Sequence, residues 1–162
     1  MAVTAVSAYT DRKFEWHTDK DGTHALIWTN VLHLVLRKKG KEHKVAVTFY
    51  GRDDGPGHKG FRCDGLTVPK IFRWFLKDWD PDNELYNIAG ALHDWLYATK
   101  GCNGMFTRSE CDDIFRGLLR EAGMNRFHAS TADFMVGLFA GNRRHWGNDE
   151  YGIIPLARLE AA

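Results

Sequence analysis

One short segment of the sequence carries the side chains best suited to acid–base chemistry. His93, Asp94 and Tyr97 stand in the run His-Asp-Trp-Leu-Tyr. If this run is helical, His93 and Tyr97 share a face because they are four residues apart, and Asp94 lies about 100° round the helix. An imidazole held by a carboxylate is the usual general base, since the carboxylate fixes the tautomer and stabilises the imidazolium that forms. The segment therefore predicts that His93 acts as a base.

A second polar pair follows the first segment and could complete the site. Arg108 and Asp112 are also four residues apart, so they share one face of a second helix. A short connection makes two helices antiparallel neighbours, and Asp112 is then expected to reach the face of His93. Asp112 or Asp94 would orient His93, with Tyr97 and Arg108 in support. These five residues are the candidate catalytic residues.

Two other interpretations of the same side chains stay open. Imidazole and carboxylate groups bind zinc, manganese or calcium, and Asp64, His93 and Asp112 would be the ligands if a metal is bound. The segment nevertheless offers one histidine and lacks the paired-histidine spacing typical of zinc hydrolases. Alternatively, a partly buried His–Asp pair ties two helices together and Tyr97 is a core aromatic residue.

Two further segments could line a substrate site. Asp64 and Thr67 lie in Phe61–Pro69, between the predicted strands and helices, where pockets commonly form. Both side chains could equally cap backbone N–H groups of a tight turn. Arg144 and Trp146 could hold an anionic ligand by charge and stacking, or could face a helix dipole and pack as a lid. These four residues are the candidate substrate-binding residues.

The first third of the chain is expected to form strands. Phe14–Thr18 alternates between apolar and polar residues before the turn signal Asp19–Gly22. Thr23–Leu36 is long enough for a bent strand or two strands, and a turn at Lys38–Lys41 leads into His43–Tyr50. The lysines of that turn could bind phosphate, although turns are commonly charged because they are solvated. The pattern predicts an antiparallel meander.

Helices are expected from about residue 81, where the apolar period changes from two to about 3.6. The first helix should span about 81–99, after the start signal Asp80–Asn83. Thr107 and Glu110 form a capping box before a second helix that stops at Gly123. A third helix is expected over 127–139. The predicted fold is α+β, with an N-terminal antiparallel β meander packed against a C-terminal bundle of about three α-helices.

The length and composition favour one folded domain. The 162 residues suffice for a single core, assigned as 1–60 mainly β, 61–80 junction, 81–146 mainly α and 147–162 C-terminal tail. A hydrophobic fraction of 44% excludes a disordered chain. The formal net charge of +1 provides no overall field for nucleic acid or an anionic membrane, so there is no strong nucleic-acid signal.

The sequence also bears on the cellular compartment. No apolar run approaches the roughly 20 residues that span a bilayer, so no membrane span is expected. The N-terminus lacks a basic region followed by a sustained apolar run, which argues against a signal peptide. Three cysteines, at 63, 102 and 111, suit a reducing compartment.

Three ordered motifs resemble a family of small phage- and prophage-encoded proteins known as a domain of unknown function. They are Phe61-x-x-Asp64-Gly65-x-Thr67-Val68-Pro69, His93-Asp94-x-Leu96-Tyr97 and Thr107-Arg108-x-x-Cys111-Asp112-x-x-Phe115, within residues 45 to 146. The chain has Leu66-Thr67 where that family has Ala-Ser, and Cys111 where it has Ala. The resemblance implies a phage or prophage origin and a shared polar cluster. It implies no established activity.

The helical motif is also similar, more loosely, to phospholipase A2. In that family a helix pairs a base histidine with a calcium-binding aspartate, and an aspartate on a second helix steadies the histidine. His93, Asp94, Tyr97 and Asp112 would take the matching places. The chain lacks the cysteine at position 96, the preceding cysteine pair, the disulfide framework and the glycine-rich calcium loop, so a shared geometry would be convergent.

These observations support two expectations about function. The first is a small phage-encoded hydrolase-like protein in which His93 activates water, assisted by a divalent metal if one is bound. The second is a non-catalytic virion or tail-assembly protein, in which the His–Asp cluster is structural and exposed aromatic residues bind other phage proteins or further copies of the chain. The expected location is the bacterial host cytoplasm or the virion.

Overall fold

The fold was analysed in a computed structural model, which describes residues 3–10, 16–18, 24–26, 31–48, 62–63, 76–77, 79–139, 146–147 and 156–160. The strands are β1 Val3–Thr10, β2 Trp16–Thr18, β3 His24–Leu26, β4 Val31–Lys38, β5 Lys41–Thr48, β6 Arg62–Cys63 and β7 Leu156–Glu160. The helices are α1 Glu84–Ala98, α2 Lys100–Gly104, α3 Arg108–Glu121 and α4 Arg126–Phe139. The predicted α+β class is confirmed.

The main sheet has the strand order β1-β4-β5-β7, and every neighbouring pair is antiparallel. The predicted turn at Lys38–Lys41 is present, since Lys38 pairs with Lys41 across the β4–β5 hairpin. Its two central residues, Lys39 and Gly40, both have positive φ, as the two-residue turns that suit strand twist require. A smaller sheet has the order β2-β3-β6, and its β2–β3 pair is the first predicted hairpin.

Two strands of the main sheet were not predicted as individual elements. β1 lies within the region 1–60 that was predicted to be mainly β, and its pairing with β4 is irregular between Ala5 and Ser7. β7 lies within 147–162, which was assigned as a tail, and its Leu-Ala-Arg-Leu-Glu sequence has little preference for a strand. β7 therefore depends on its partner in the sheet rather than on local propensity, whereas β1 contains valine, threonine and tyrosine, which favour strands.

The core lies between one face of the main sheet and the helices. Leu32, Leu34 and Leu36 alternate along β4 as buried residues and belong to the same apolar cluster as Trp95 and Ile114 of the helices. α3 packs against β1 on one side and against α1 and α4 on the others. None of the helices in the described part of the chain is long and apolar enough to cross a membrane.

The start of α3 is fixed by the predicted capping box. The Glu110 backbone N–H donates to Thr107 Oγ1 at 3.3 Å, and the Thr107 backbone N–H donates to Glu110 Oε2 at 2.9 Å. Lys38 Nζ lies 2.6 Å from Glu110 Oε1, which joins β4 to α3. Burial would raise the pKa of the Glu110 carboxyl, but the bond from Lys38 and the backbone bond from Thr107 outweigh burial and lower it.

A left-handed turn, α2, reverses the chain between α1 and α3. Lys100, Gly101, Cys102 and Asn103 all have φ between +53° and +65°. Such a conformation costs roughly 1–2 kcal/mol for each residue other than glycine. Thr99 Oγ1 accepts from the Cys102 backbone N–H at 3.0 Å, which helps to hold the turn. The turn allows α1 and α3 to lie side by side after a short connection.

Two glycine substitutions test this turn. A Cβ added at Gly101 would lie 1.9 Å from the Phe106 carbonyl oxygen, whereas a Cβ at Gly104 meets nothing within 4 Å, and both residues have positive φ. We expect Gly104→Ala to lower the free energy of unfolding by about 1 kcal/mol, and Gly101→Ala by about 3 kcal/mol or more. Urea denaturation measures both, and equal losses would contradict the close approach at Gly101.

Candidate functional site

α1 and α3 bring four polar side chains together. His93 Nε2 lies 3.1 Å from Asp112 Oδ1, and the Tyr97 hydroxyl donates to the same oxygen at 2.6 Å. Arg108 Nε donates to the Tyr97 hydroxyl at 3.1 Å. The His93 side chain is only 3% exposed, whereas that of Asp112 is 30% exposed. We call His93, Tyr97, Arg108 and Asp112 the His93–Asp112 cluster.

The contacts of Asp112 decide which nitrogen of His93 carries the proton. Burial would raise the pKa of the Asp112 carboxyl, but the hydrogen bonds from His93 and Tyr97 outweigh burial and lower it. An ionised carboxylate can only accept hydrogen bonds, so Nε2 of His93 must donate. A neutral His93 ring then has its unshared electron pair on Nδ1, which is the nitrogen able to accept a proton.

Asp94 lies beside that nitrogen. Its Oδ1 is 4.0 Å from His93 Nδ1, too far for a hydrogen bond, and its side chain is 43% exposed. Of the two carboxylates that could orient His93, Asp112 is therefore the one that is hydrogen-bonded to the ring. Asp94 instead places a carboxylate next to the nitrogen that can accept a proton.

Tyr97 links the other members of the cluster. Burial, followed by the hydrogen bond to Asp112, raises the pKa of the Tyr97 phenol well above its usual range, so the hydroxyl stays protonated and donates. The hydrogen bond with Tyr97 also raises the pKa of Arg108. The guanidinium carbon of Arg108 lies 5.5 Å from the Tyr97 ring centroid, which adds a cation–π contact.

Aromatic rings enclose the cluster. The His93 ring centroid lies 4.2 Å from that of Tyr97 and 4.8 Å from that of Phe115. Trp146 meets the Tyr97 ring edge-on, with centroids 5.2 Å apart, and the Gly147 backbone N–H donates to the Tyr97 carbonyl at 2.8 Å. Phe115 ends the third sequence motif, but a motif does not show which side chains contact each other. No local sequence pattern indicated the Gly147 contact.

The family assignment rests on the helical half of the molecule. A family described as "Protein of unknown function (DUF1353)" matches residues 56–136, half of the chain. The chain belongs to the DUF1353 family. The DUF1353 match includes α1, α2 and α3, and so contains the whole His93–Asp112 cluster. A search of curated proteins and a search of solved structures each found no match.

The candidate substrate-binding residues lie partly inside and partly outside the described part of the chain. Trp146 lies at the cluster, just beyond the DUF1353 match. Asp64, Thr67 and Arg144 lie outside the described residues. Within the described residues no group of three or more His, Cys, Asp or Glu side chains could hold a metal ion. The predicted metal ligands are Asp64, His93 and Asp112. Because Asp64 lies outside the described residues, this metal site stays a prediction.

Cys111 stands next to Asp112 in the DUF1353 region but is unsuited to act as a nucleophile. Its side chain is fully buried. Burial, followed by the charges of Asp112 and Glu110, raises the pKa of the Cys111 thiol well above its usual range. Since the thiolate is the reactive form, chemistry at the cluster depends on the His93 imidazole and the Asp112 carboxylate.

The lowered pKa of Asp112 predicts a pH dependence of folding stability. The unfolded carboxyl titrates near about 3.9, so its contribution to stability is present above that pH and is lost as the pH falls through the lower folded pKa. Asp112→Asn removes this carboxyl, and we expect the variant to lose less stability than the wild type between pH 6 and pH 2 in urea denaturation (about two units on either side of that titration). An equal loss in both proteins would contradict the prediction.

Proposed function

We propose that this DUF1353 protein is a hydrolase in which His93 activates water through Nδ1. One observation carries the proposal: a single oxygen of Asp112 accepts hydrogen bonds from both His93 Nε2 and Tyr97. This arrangement selects the tautomer that leaves Nδ1 without a proton. It also places a negative charge where it stabilises the imidazolium that forms when Nδ1 takes a proton from water.

Each remaining member of the site has a role in this proposal. Tyr97 keeps the Asp112 carboxylate in place, and Arg108 holds the Tyr97 hydroxyl through its 3.1 Å bond. Asp94, beside Nδ1 and partly exposed, would position the water, the substrate or a cation next to the base. Trp146, Asp64, Thr67 and Arg144 are proposed to bind substrate, and Asp64 would complete a metal site if the reaction is metal-assisted.

The proposed substrate is a component of the cell envelope, or another molecule with a hydrolysable bond that a phage meets during infection. This part of the proposal depends on the motif resemblance to phage and prophage proteins. The proposed location, in the host cytoplasm or the virion, depends on the same resemblance. A hydrolase acting on an ester, amide or glycoside of that kind needs a base and an activated water, which the His93–Asp112 cluster can supply.

A structural role is the second candidate, and a different observation favours it. The His93 side chain is almost fully buried and its bond to Asp112 ties α1 to α3. Phe127 and Phe134, two turns apart on α4, are 76% and 64% exposed. A virion or tail-assembly protein could bury such residues against a neighbouring subunit.

Product release from a panel of substrates tests the proposed function. The purified protein, prepared with and without chelator, is incubated with chromogenic carboxylic and phosphoric esters and with bacterial cell-envelope material. Hydrolysis of at least one class of substrate is expected. Loss of that activity in the presence of chelator would show that the hydrolysis is metal-assisted. Folded protein that releases no product from any class, and that co-purifies with particles, would contradict the hydrolase and favour the structural role.

A further inference from the structure

Tyr97 is the residue on which the geometry of the cluster depends. Its hydroxyl donates to Asp112 Oδ1 at 2.6 Å and accepts from Arg108 Nε at 3.1 Å, while its ring lies against the His93 ring. A tyrosine hydroxyl lies at the far end of the side chain, so a small rotation about the Cα–Cβ bond moves it by a large distance. The alignment of the cluster therefore requires that the Tyr97 ring be held in place.

The pair Trp146–Gly147 contacts Tyr97 at two separate points. The Trp146 ring packs edge-on against the Tyr97 ring, at an interplanar angle of 88°. This T-shaped arrangement is a preferred geometry for aromatic pairs. Trp146 is itself partly buried against the apolar core, so its position is defined by more than the contact with Tyr97.

Gly147 holds the backbone of the same residue. Its N–H donates to the Tyr97 carbonyl at 2.8 Å, in the last turn of α1, where carbonyls no longer have regular helical partners. Gly147 has a φ of +78°, which favours glycine, and a Cβ there would lie 2.6 Å from Cε of the Lys100 side chain. Ring and backbone of Tyr97 are thus both held by residues that lie beyond the DUF1353 match, which ends at residue 136.

We propose that Trp146 and Gly147 are positioning residues, which hold Tyr97 so that its hydroxyl stays on Asp112. Trp146 then acts through Tyr97 and Asp112 on the His93 base, in addition to any contact with substrate. The catalytic consequence rests on the proposed hydrolase function. The placement of the Tyr97 hydroxyl does not rest on that function, because it can be measured in the protein without substrate.

The substrate-free test measures hydrogen exchange in the full chain by NMR. A hydroxyl held at 2.6 Å from a carboxylate oxygen exchanges slowly with solvent. In Trp146→Ala we expect the Tyr97 hydroxyl proton to exchange about tenfold faster or more, while the backbone amide of Leu92 in the middle of α1 keeps its rate. Trp146→Phe, which retains an aromatic ring, should restore slow exchange. Phe127→Ala, on exposed α4 surface, is the control and should change neither rate.

The kinetic test uses the same variants on a substrate that the wild type hydrolyses. A positioning role predicts that Trp146→Ala lowers kcat by about tenfold or more, whatever the effect of lost substrate contacts on KM, and that Trp146→Phe recovers most of kcat. Unchanged Tyr97 hydroxyl exchange in Trp146→Ala would overturn the proposal, as would a higher KM with an unchanged kcat. If the wild type hydrolyses nothing, the exchange rates still decide whether Trp146 holds Tyr97, and only the proposed function fails.

Discussion

Asp112→Asn is expected to lower the rate of hydrolysis by about 10²-fold or more while the protein stays folded, on the scale of a general acid–base contribution. The side chain keeps nearly the same shape, and its amide oxygen can take the place of Oδ1 and accept from both His93 Nε2 and the Tyr97 hydroxyl. The amide carries no charge, however. The imidazolium that forms when Nδ1 takes a proton from water therefore loses its stabilising carboxylate.

Two measurements separate this effect from a loss of structure. The value of kcat/KM is compared with the free energy of unfolding of the same sample, and we expect the latter to fall by no more than about 2 kcal/mol. Asp113→Asn is the matched control, because the neighbouring carboxylate pairs with Arg116 and lies outside the cluster. An Asp112→Asn variant with the wild-type rate would show that the charge of Asp112 does not matter for hydrolysis.

His93→Gln is expected to lower the rate by about 10²- to 10⁴-fold, the usual contribution of a general base. The glutamine amide can still donate to Asp112, so the link between α1 and α3 is retained while the basic nitrogen is lost. His93→Ala should behave differently. It leaves a cavity beside Phe115 and removes a donor from Asp112, and we expect it to lower the free energy of unfolding by about 2–4 kcal/mol.

Activity rather than stability distinguishes the two candidate functions in these variants, because both functions predict a stable His93→Gln. A catalytic His93 predicts that His93→Gln is stable and inactive. A structural His93 predicts that glutamine restores the stability lost in His93→Ala, with no activity to lose in any of the proteins. His128→Gln, on α4 and bonded to Asn125, is the control for a general effect of replacing histidine and should keep the wild-type rate.

The helices were predictable because their signals are local. The apolar spacing predicted a first helix over about 81–99, and α1 spans Glu84–Ala98 with Asn83 as its N-cap. The capping box of Thr107 and Glu110 placed the start of α3 at the correct residue. The spacing of His93 and Tyr97 placed both on one face, which is how they come to share one oxygen of Asp112.

The rest of the site depends on contacts between distant parts of the chain. The sequence could not decide between Asp94 and Asp112 as the partner of His93, because the choice depends on how α1 and α3 pack. The sequence predicted a first helix that ends near residue 99, but not that Lys100, Cys102 and Asn103 adopt left-handed conformations. The contact of Gly147 with the Tyr97 carbonyl joins residues 50 positions apart, and no local sequence pattern indicates it.

The two edge strands of the main sheet also depend on distant contacts. β1 and β7 add to the two edges of the predicted β4–β5 hairpin, and each receives its register from that hairpin. The valine, threonine and tyrosine of β1 favour a strand, whereas the charged, helix-favouring sequence of β7 gives a weak local preference. β7 could therefore be assigned as a strand only with knowledge of its partner.

Product release by wild-type protein and by His93→Gln, in one substrate panel and at equal folded concentration, tests most directly whether His93 is a general base. We predict that the wild type hydrolyses at least one class of substrate and that His93→Gln loses at least about 99% of that rate, as expected for removal of a general base. Equal product release by the two proteins, or none from the folded wild type across the panel, would contradict it.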